Sequence, residues 1–370
     1  MLTALDDSLW HQLPTTFDHV STSDPRFFDR LWFAASDRLG RGALQFTMGV
    51  YQNMNVVDGG FVIIVDGKQH NLRVSRQLRP TYETACGPLR IEIVEPLKHI
   101  RLHIDHDGLR GTLDWRADLP PHEEHQHFRR LNGRILEDYS RYDQIGHCSG
   151  SIEIAGRRLE IGDWWACRDH SWGVRERVGV PEPKTGEAPP QAGGLFAFLF
   201  YSTETQGGHL QVARTGDGAR YLSAVTLDRA TGQGGWIGKT ADIAVAFVDD
   251  ARPRRMKRVE FDITTAAGET VRFDVEAQGA AVAMQGLGYG GYRDGLGLGV
   301  WRGLQHLETE IWDVSQPAEV GYPDGSADRP VHRIQPVRVT TYGPSGQSAG
   351  FGSLTFIAEG SLAEMGVRSL

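Results

Sequence analysis

The chain's chemistry is most concentrated in one short stretch, Gly162-Asp163-Trp164-Trp165-Ala166-Cys167-Arg168-Asp169-His170-Ser171-Trp172-Gly173-Val174-Arg175, which holds three of the nine tryptophans, an Asp-His pair and two arginines. A carboxyl group enclosed by indoles loses solvation, which raises its pKa and lets it stay protonated near neutral pH as a general acid. Asp169 is the candidate acid, with His170 to orient it or accept a proton. The ring faces of Trp164, Trp165 and Trp172 favour a developing cation by about 0.5 to 2 kcal/mol per good contact. Arg168 or Arg175 supplies electrostatic support or an oxyanion donor. Such parts suit protonation of an alkene or enol followed by capture of water or loss of a proton, which is hydratase, dehydratase or isomerase chemistry and calls for no cofactor. The same residues also read as a plug, with Asp169 capping backbone amides or paired with Arg168 or Arg175; that pairing lowers its pKa and makes it a poor acid. Both readings stand on the sequence.

Other groups are candidates by position. Tyr51, Asn53 and Asn55 share one face of an alternating stretch and bind a carbonyl or hydroxyl if that face points inward; if it points outward, Met48 and Met54 line an apolar cavity instead. Tyr142, Gln144 and His147 lie just upstream of the Trp-rich stretch. The run His122-Glu123-Glu124-His125-Gln126-His127 follows Pro120-Pro121 and reads as a solvated loop, so no metal is predicted. Gly286-Leu287-Gly288-Tyr289-Gly290-Gly291 satisfies a dinucleotide-binding pattern, but more glycines follow where a helix is required. Gly146-His147-Cys148-Ser149-Gly150 resembles a nucleophile elbow and again lacks the helix.

The elements that must position these groups are mostly strands. Of 370 residues, 40% are hydrophobic and 23% charged, as in a globular chain with a sizeable core, and 45 glycines exceed the average of about 7% and indicate turns and bulges. One helix is predicted over 24–40: Asp24 caps it, Pro25 opens it, Phe27, Phe28, Leu31, Trp32 and Ala35 recur at helical spacing, and Gly40 ends it. A long strand is predicted over 45–57. Asp58-Gly59 and Asp66-Gly67 bracket a second strand, 71–77 pairs back across the second turn, and a meander runs on through 89–94, 98–105 and 109–115, with a hairpin around Ala155-Gly156. Pro181, Pro183, Pro189 and Pro190 mark a linker over 181–194 between domains at 1–180 and 195–370. The stretches 98–105 and 257–264 line up face for face, as two copies of one hairpin do.

Composition removes several classes of function. A net charge of −8 without a basic run gives no footprint for nucleic acid. No apolar run approaches the length of a membrane span, and no basic n-region precedes an apolar stretch. Three scattered cysteines (Cys86, Cys148, Cys167) form no disulfide framework and fit a reducing, cytoplasmic setting.

The segment Asp169-His170-Ser171-Trp172-Gly173 resembles the Asp-His-x-aromatic-Gly motif of the two-barrel lipocalin-like superfamily that includes carotenoid 1,2-hydratase (hydroxyneurosporene synthase), the AttH-like proteins and some Diels-Alderases. An early aromatic and Asn-rich strand, Tyr142-Asp143-Gln144-Ile145-Gly146 and a late Gly-rich segment follow the same order. The resemblance implies an all-β chain of two lipocalin-like (calycin-type) antiparallel β-barrels with few short helices. It further implies a cofactor-independent enzyme acting on a sizeable apolar substrate such as a terpenoid, steroid, polyketide or aromatic compound, with a homodimer left open. A hydrophobic-ligand carrier and a filled two-barrel scaffold are the competing readings.

Overall fold

The computed structural model describes residues 13–182, 193–215, 220–290, 293–344 and 346–370, together with Asp6 and Leu9. In chain order the first half forms β1 (Phe27–Ser36), β2 (Gly42–Tyr51), β3 (Val56–Val65), β4 (Lys68–Gln77), β5 (Ala85–Cys86), β6 (Leu89–Glu95), β7 (His99–His106), β8 (Leu109–Ala117), β9 (His122–Glu123), β10 (His127–Leu131), β11 (Arg134–Ile154) and β12 (Arg157–Val174). The second half forms β13 (Gly194–Thr203), β14 (Gln206–Thr215), β15 (Arg220–Asp228), β16 (Gly234–Phe247), β17 (Met256–Thr265), β18 (Thr270–Ala277), β19 (Val282–Ala283), β20 (Gln305–Asp313), β21 (Val320–Gly321), β22 (Ala327–Asp328), β23 (Arg333–Gly343), β24 (Gly346–Glu359) and β25 (Val367–Ser369). Among the described residues no helix is long and apolar enough to cross a membrane.

The all-β expectation holds. Strands β15, β14, β13, β24, β23, β18, β17 and β16 pair in that order, and β16 pairs back to β15, closing an antiparallel barrel. The remaining long strands form a second sheet ordered β20-β4-β3-β2-β1-β12-β11-β8-β7-β6, which curls until β5 and β6 pack against β3. It is lipocalin-like without being closed by hydrogen bonds. Strand β20, from the second half of the chain, pairs with β4 of this first sheet, His306 opposite Ser75. The hairpins β7–β8 and β17–β18 occupy the two stretches that align in sequence.

Both interiors are filled by side chains. Phe33, Phe46, Phe61, Leu102, Leu113, Trp115 and Trp164 occupy the first; Leu195, Leu199, Tyr201, Phe261, Phe273 and Val339 occupy the second. A third apolar cluster, with Trp32, Trp165, Phe198, Phe200 and Met284, lies between the two sheets. A strand sends alternate residues to opposite faces, so in β13 Leu195, Ala197 and Leu199 point into the barrel while Phe198 and Phe200 reach the first sheet.

Three local expectations are corrected. Residues 27–36, expected as a helix, are the central strand β1. It is buried on both faces towards its end, so its apolar residues run together and imitate a helical repeat. The strand expected over 45–57 ends at Tyr51, where Gln52–Met54 make a 3-10 turn and Asn55 adopts a left-handed conformation at φ 58°. Asp58-Gly59 lies inside β3, whereas Asp66-Gly67, at φ 51° and 73°, is the expected hairpin turn. Most of the linker expected over 181–194 lies outside the described residues.

Candidate functional site

Because the interiors are packed, the void lies between them. A cavity of about 930 Å³ is walled on one side by Trp32, Tyr139, Arg141, Asp169 and Arg175 of the first sheet and on the other by Phe196, Phe198, Phe200, Tyr221 and Ile334 of the barrel, with Met284, Tyr289 and His332 between. Three outward-facing phenylalanines in a row on one barrel strand make an apolar wall on a surface that lipocalin-type barrels otherwise present to solvent.

Asp169 sits at the centre of a cross-strand row. Across β1, β12, β11 and β9, Trp32 pairs with Asp169, Asp169 with Asp143, and Asp143 with His122, so all four side chains leave one face of the sheet. One step along, Arg141 pairs with Ser171. Burial pushes the Asp169 carboxyl above the usual carboxylate range, against the pull of the Arg141 and Arg175 guanidiniums. The nearer, Arg141 Nη1, is 3.6 Å from Asp169 Oδ2. Arg141 is chiefly committed elsewhere: Nε and Nη2 lie 2.9 and 3.0 Å from the two oxygens of Glu124. Its guanidinium also lies 4.9 Å from the centre of the Phe198 ring.

Behind Asp169 lies a buried polar cluster. His127 Nε2 is 2.6 Å from Glu124 Oε2, and its ring stacks on Tyr139 with centroids 4.4 Å apart. His122 Nε2 meets His209 Nδ1 at 2.7 Å, and His209 Nε2 meets Ser223 Oγ at 2.8 Å. Burial lowers the pKa of His122 to about 4 and of His209 to about 3, so both rings are neutral. Burial and the neighbouring Glu124 charge raise Asp143 well above the usual range. The run 122–127, expected as a solvated loop, therefore sends His122 and Glu124 inward, and β9 holds them there by pairing with β11.

The expected site residues separate by the same alternation. Asp169 and Arg175 line the cavity, and Arg175 also lies 4.3 Å from the centre of the Phe28 ring. His170, Arg168 and Trp172 leave the opposite face of β12. Arg168 is buried, donates from Nε and Nη2 to Gln144 Oε1 at 3.0 and 2.6 Å, and is flanked by the Trp115 and Tyr142 rings. His170 bonds Asp29 at 2.7 Å and contacts Tyr142 and the part-exposed Trp172. Trp164 packs in the first interior, and Trp165 donates to Ser202 Oγ of the barrel at 3.0 Å. Tyr51 is buried against Arg30 and Asp58, at 2.6 Å from the first. Asn53 bonds the carbonyls of Thr22 and Asp24, and Asn55 accepts from Arg79, so both are turn residues away from the cavity. His147 pairs with Asp118 at 2.6 Å, and Cys148 is buried inside β11. The indole that pairs across the sheet with Asp169 and lines the same cavity is Trp32, from the strand expected as a helix. The readable signal for the opposite wall was Phe196-x-Phe198-x-Phe200.

A model of one protein family matches residues 2–322. The chain belongs to the family of unknown function DUF8625. No curated protein matches it in sequence. In fold it is similar to an AttH-like protein from Nitrosomonas europaea, at 12% identity and a TM-score of 0.53, over 90% of this chain and 92% of that one. Fainter likenesses are to kievitone hydratase from Nectria haematococca, at 10% identity and a TM-score of 0.46 over 89% and 88%, and to CghA, at 10% and 0.48 over 90% and 88%. The AttH-like likeness places this DUF8625 member in the two-domain lipocalin-like fold implied by the Asp169 to Gly173 motif.

Proposed function

We propose that this DUF8625 protein is an enzyme of hydratase, isomerase or cyclase type that binds a sizeable apolar substrate between its two β-units, with Asp169 as the acid. The observation that carries the proposal is the mostly buried Asp169 carboxyl, 16% exposed, at the edge of a cavity of about 930 Å³ walled by aromatic rings. That volume falls in the range of small-molecule sites, about 300 to 1,000 Å³. The Asp169 proton goes to a substrate carbon or oxygen, Trp32 faces the cation that develops, and Arg141, held by Glu124, stabilises the carboxylate that remains until the cation captures water or is deprotonated and a proton returns to Asp169. Phe198 and Phe200 hold the apolar body of the substrate against that wall.

The test is Asp169→Asn. Offered a panel of terpenoid, polyketide and aromatic alkenes, the wild type yields products shifted by one water or isomerised at constant mass; the variant loses at least about 100-fold in rate. Its affinity for the apolar dye ANS stays within about twofold, and its stability changes by less than about 1 kcal/mol. Undiminished turnover in the variant removes Asp169 from the mechanism. Tight binding with no turnover in either protein supports a carrier instead.

A further inference from the structure

We propose that His122 Nε2, Asp143 Oδ2 and His209 Nδ1 bind one divalent transition-metal ion of the zinc type, which clips the first sheet to the barrel beneath the cavity. The three atoms are 2.7, 3.2 and 3.9 Å apart, and points so spaced lie on a circle of radius about 2 Å, the bond length of zinc to imidazole nitrogen and carboxylate oxygen. Two imidazoles and a carboxylate are a borderline donor set that suits zinc better than calcium or magnesium.

Three further observations point to the same ion. Asp143 is completely buried, and neither of its oxygens accepts a hydrogen bond from the described residues. An unmatched buried carboxylate is costly, and a cation at its Oδ2 removes that cost. Charge runs the same way: Glu124 and Asp143 present two carboxyl groups to the one buried guanidinium of Arg141, and a dication adds positive charge beside them. Outer contacts fix the ligands, since the Ser223 hydroxyl at His209 Nε2 leaves Nδ1 for the ion. His122 comes from β9, Asp143 from β11 and His209 from β14, so the ion joins strands of both units, one strand away from Asp169. The proposal does not depend on Asp169 being an acid.

The experiment uses the full chain, stripped with EDTA and titrated with zinc sulfate. The expected result is about one zinc per chain by elemental analysis, with a Tm rise of about 5 °C at saturating zinc. Cobalt(II) should give visible absorption bands that the stripped protein lacks. Asp143→Asn and His209→Gln each lower zinc affinity at least about 100-fold, while His125→Ala, an exposed neighbour in the same run, leaves it unchanged. The proposal is overturned if the wild type takes up no stoichiometric zinc and shows no cobalt band, or if both ligand variants keep wild-type uptake. The cluster is then a metal-free hydrogen-bonded pair. If the variants do not fold, the wild-type titration and the cobalt spectrum decide alone. Because occupancy is read on resting protein, failure here is distinct from failure of the proposed catalysis.

Discussion

The two faces of strand β12 carry similar residue types and come to opposite ends. On the face turned to the first interior, Arg168 is matched: two of its nitrogens bond Gln144, a third bonds Tyr142, and two rings flank it. On the face turned to the cavity, Asp169 lies beside a guanidinium already bonded to Glu124, and the oxygens of its row neighbour Asp143 accept no hydrogen bond from the described residues. A satisfied buried charge contributes to packing and register; an unsatisfied one costs stability and calls for a different reason to be there. The contrast fits a structural role for one face and the proposed chemistry for the other.

The largest break in that contrast is Arg168→Met. Removing the guanidinium strands Gln144 Oε1 between two strands, and the expected loss is about 3 kcal/mol in urea unfolding. Arg168→Lys should rescue little, because an ammonium cannot make the forked contact to Gln144. A loss below about 1 kcal/mol from Arg168→Met means the plug contributes little, and the two faces then differ less than the geometry implies.

Gly173→Ala comes next. Gly173 has φ 134°, and a Cβ there lies 2.3 Å from the Asp138 carbonyl oxygen and 2.6 Å from Tyr139 Cα. The residue therefore lets β11 approach β12 where Tyr139 enters the cavity wall. Alanine should cost about 2 kcal/mol and displace Tyr139, so a drop in ANS affinity should accompany the drop in Tm. A loss of stability with dye binding intact confines the role of Gly173 to the backbone. This clash also gives the closing glycine of the Asp-His-x-aromatic-Gly motif a physical reason.

Much of the fold was legible because turn dipeptides and alternation are local. Asp66-Gly67 was readable as a hairpin and the late strands by their period of two. β1 was not, because burial on both faces erases alternation and leaves a run that suits either element. Within the site, Asp169 was legible from its composition, but the grouping of Asp169 with His170 ignored that neighbours in a strand point apart. The residues that share Asp169's face are Trp32 and Asp143, its partners across the sheet, and Arg141, from other strands, and only the register brings them together. His209 reaches the cluster from the barrel, a contact 87 residues from His122 that no local pattern encodes.

The smallest expected effect concerns how dry the cavity's far wall is. Burial lowers the pKa of His332 to about 4, and the Arg177, Arg175 and Arg255 guanidiniums push the same way. An unfolded histidine titrates near 6.5, so between about pH 6.5 and 4 the unfolded chain binds a proton that the folded chain refuses. Its contribution is thus present above pH 6.5 and is lost as the pH falls through that window. Urea midpoints at pH 7, 6 and 5 should fall more steeply for wild type than for His332→Gln. The difference should stay below the ceiling of about 1.4 kcal/mol per pH unit that one proton sets, since the ring is partly open to the cavity. Parallel midpoints mean that water in the cavity hydrates His332 freely, so this wall would resemble the open Asp29–His170 side of β12 more than the buried row at Asp169. Divergent midpoints mean that the void keeps water from both its walls, the condition under which one carboxyl group can hold its proton for a substrate.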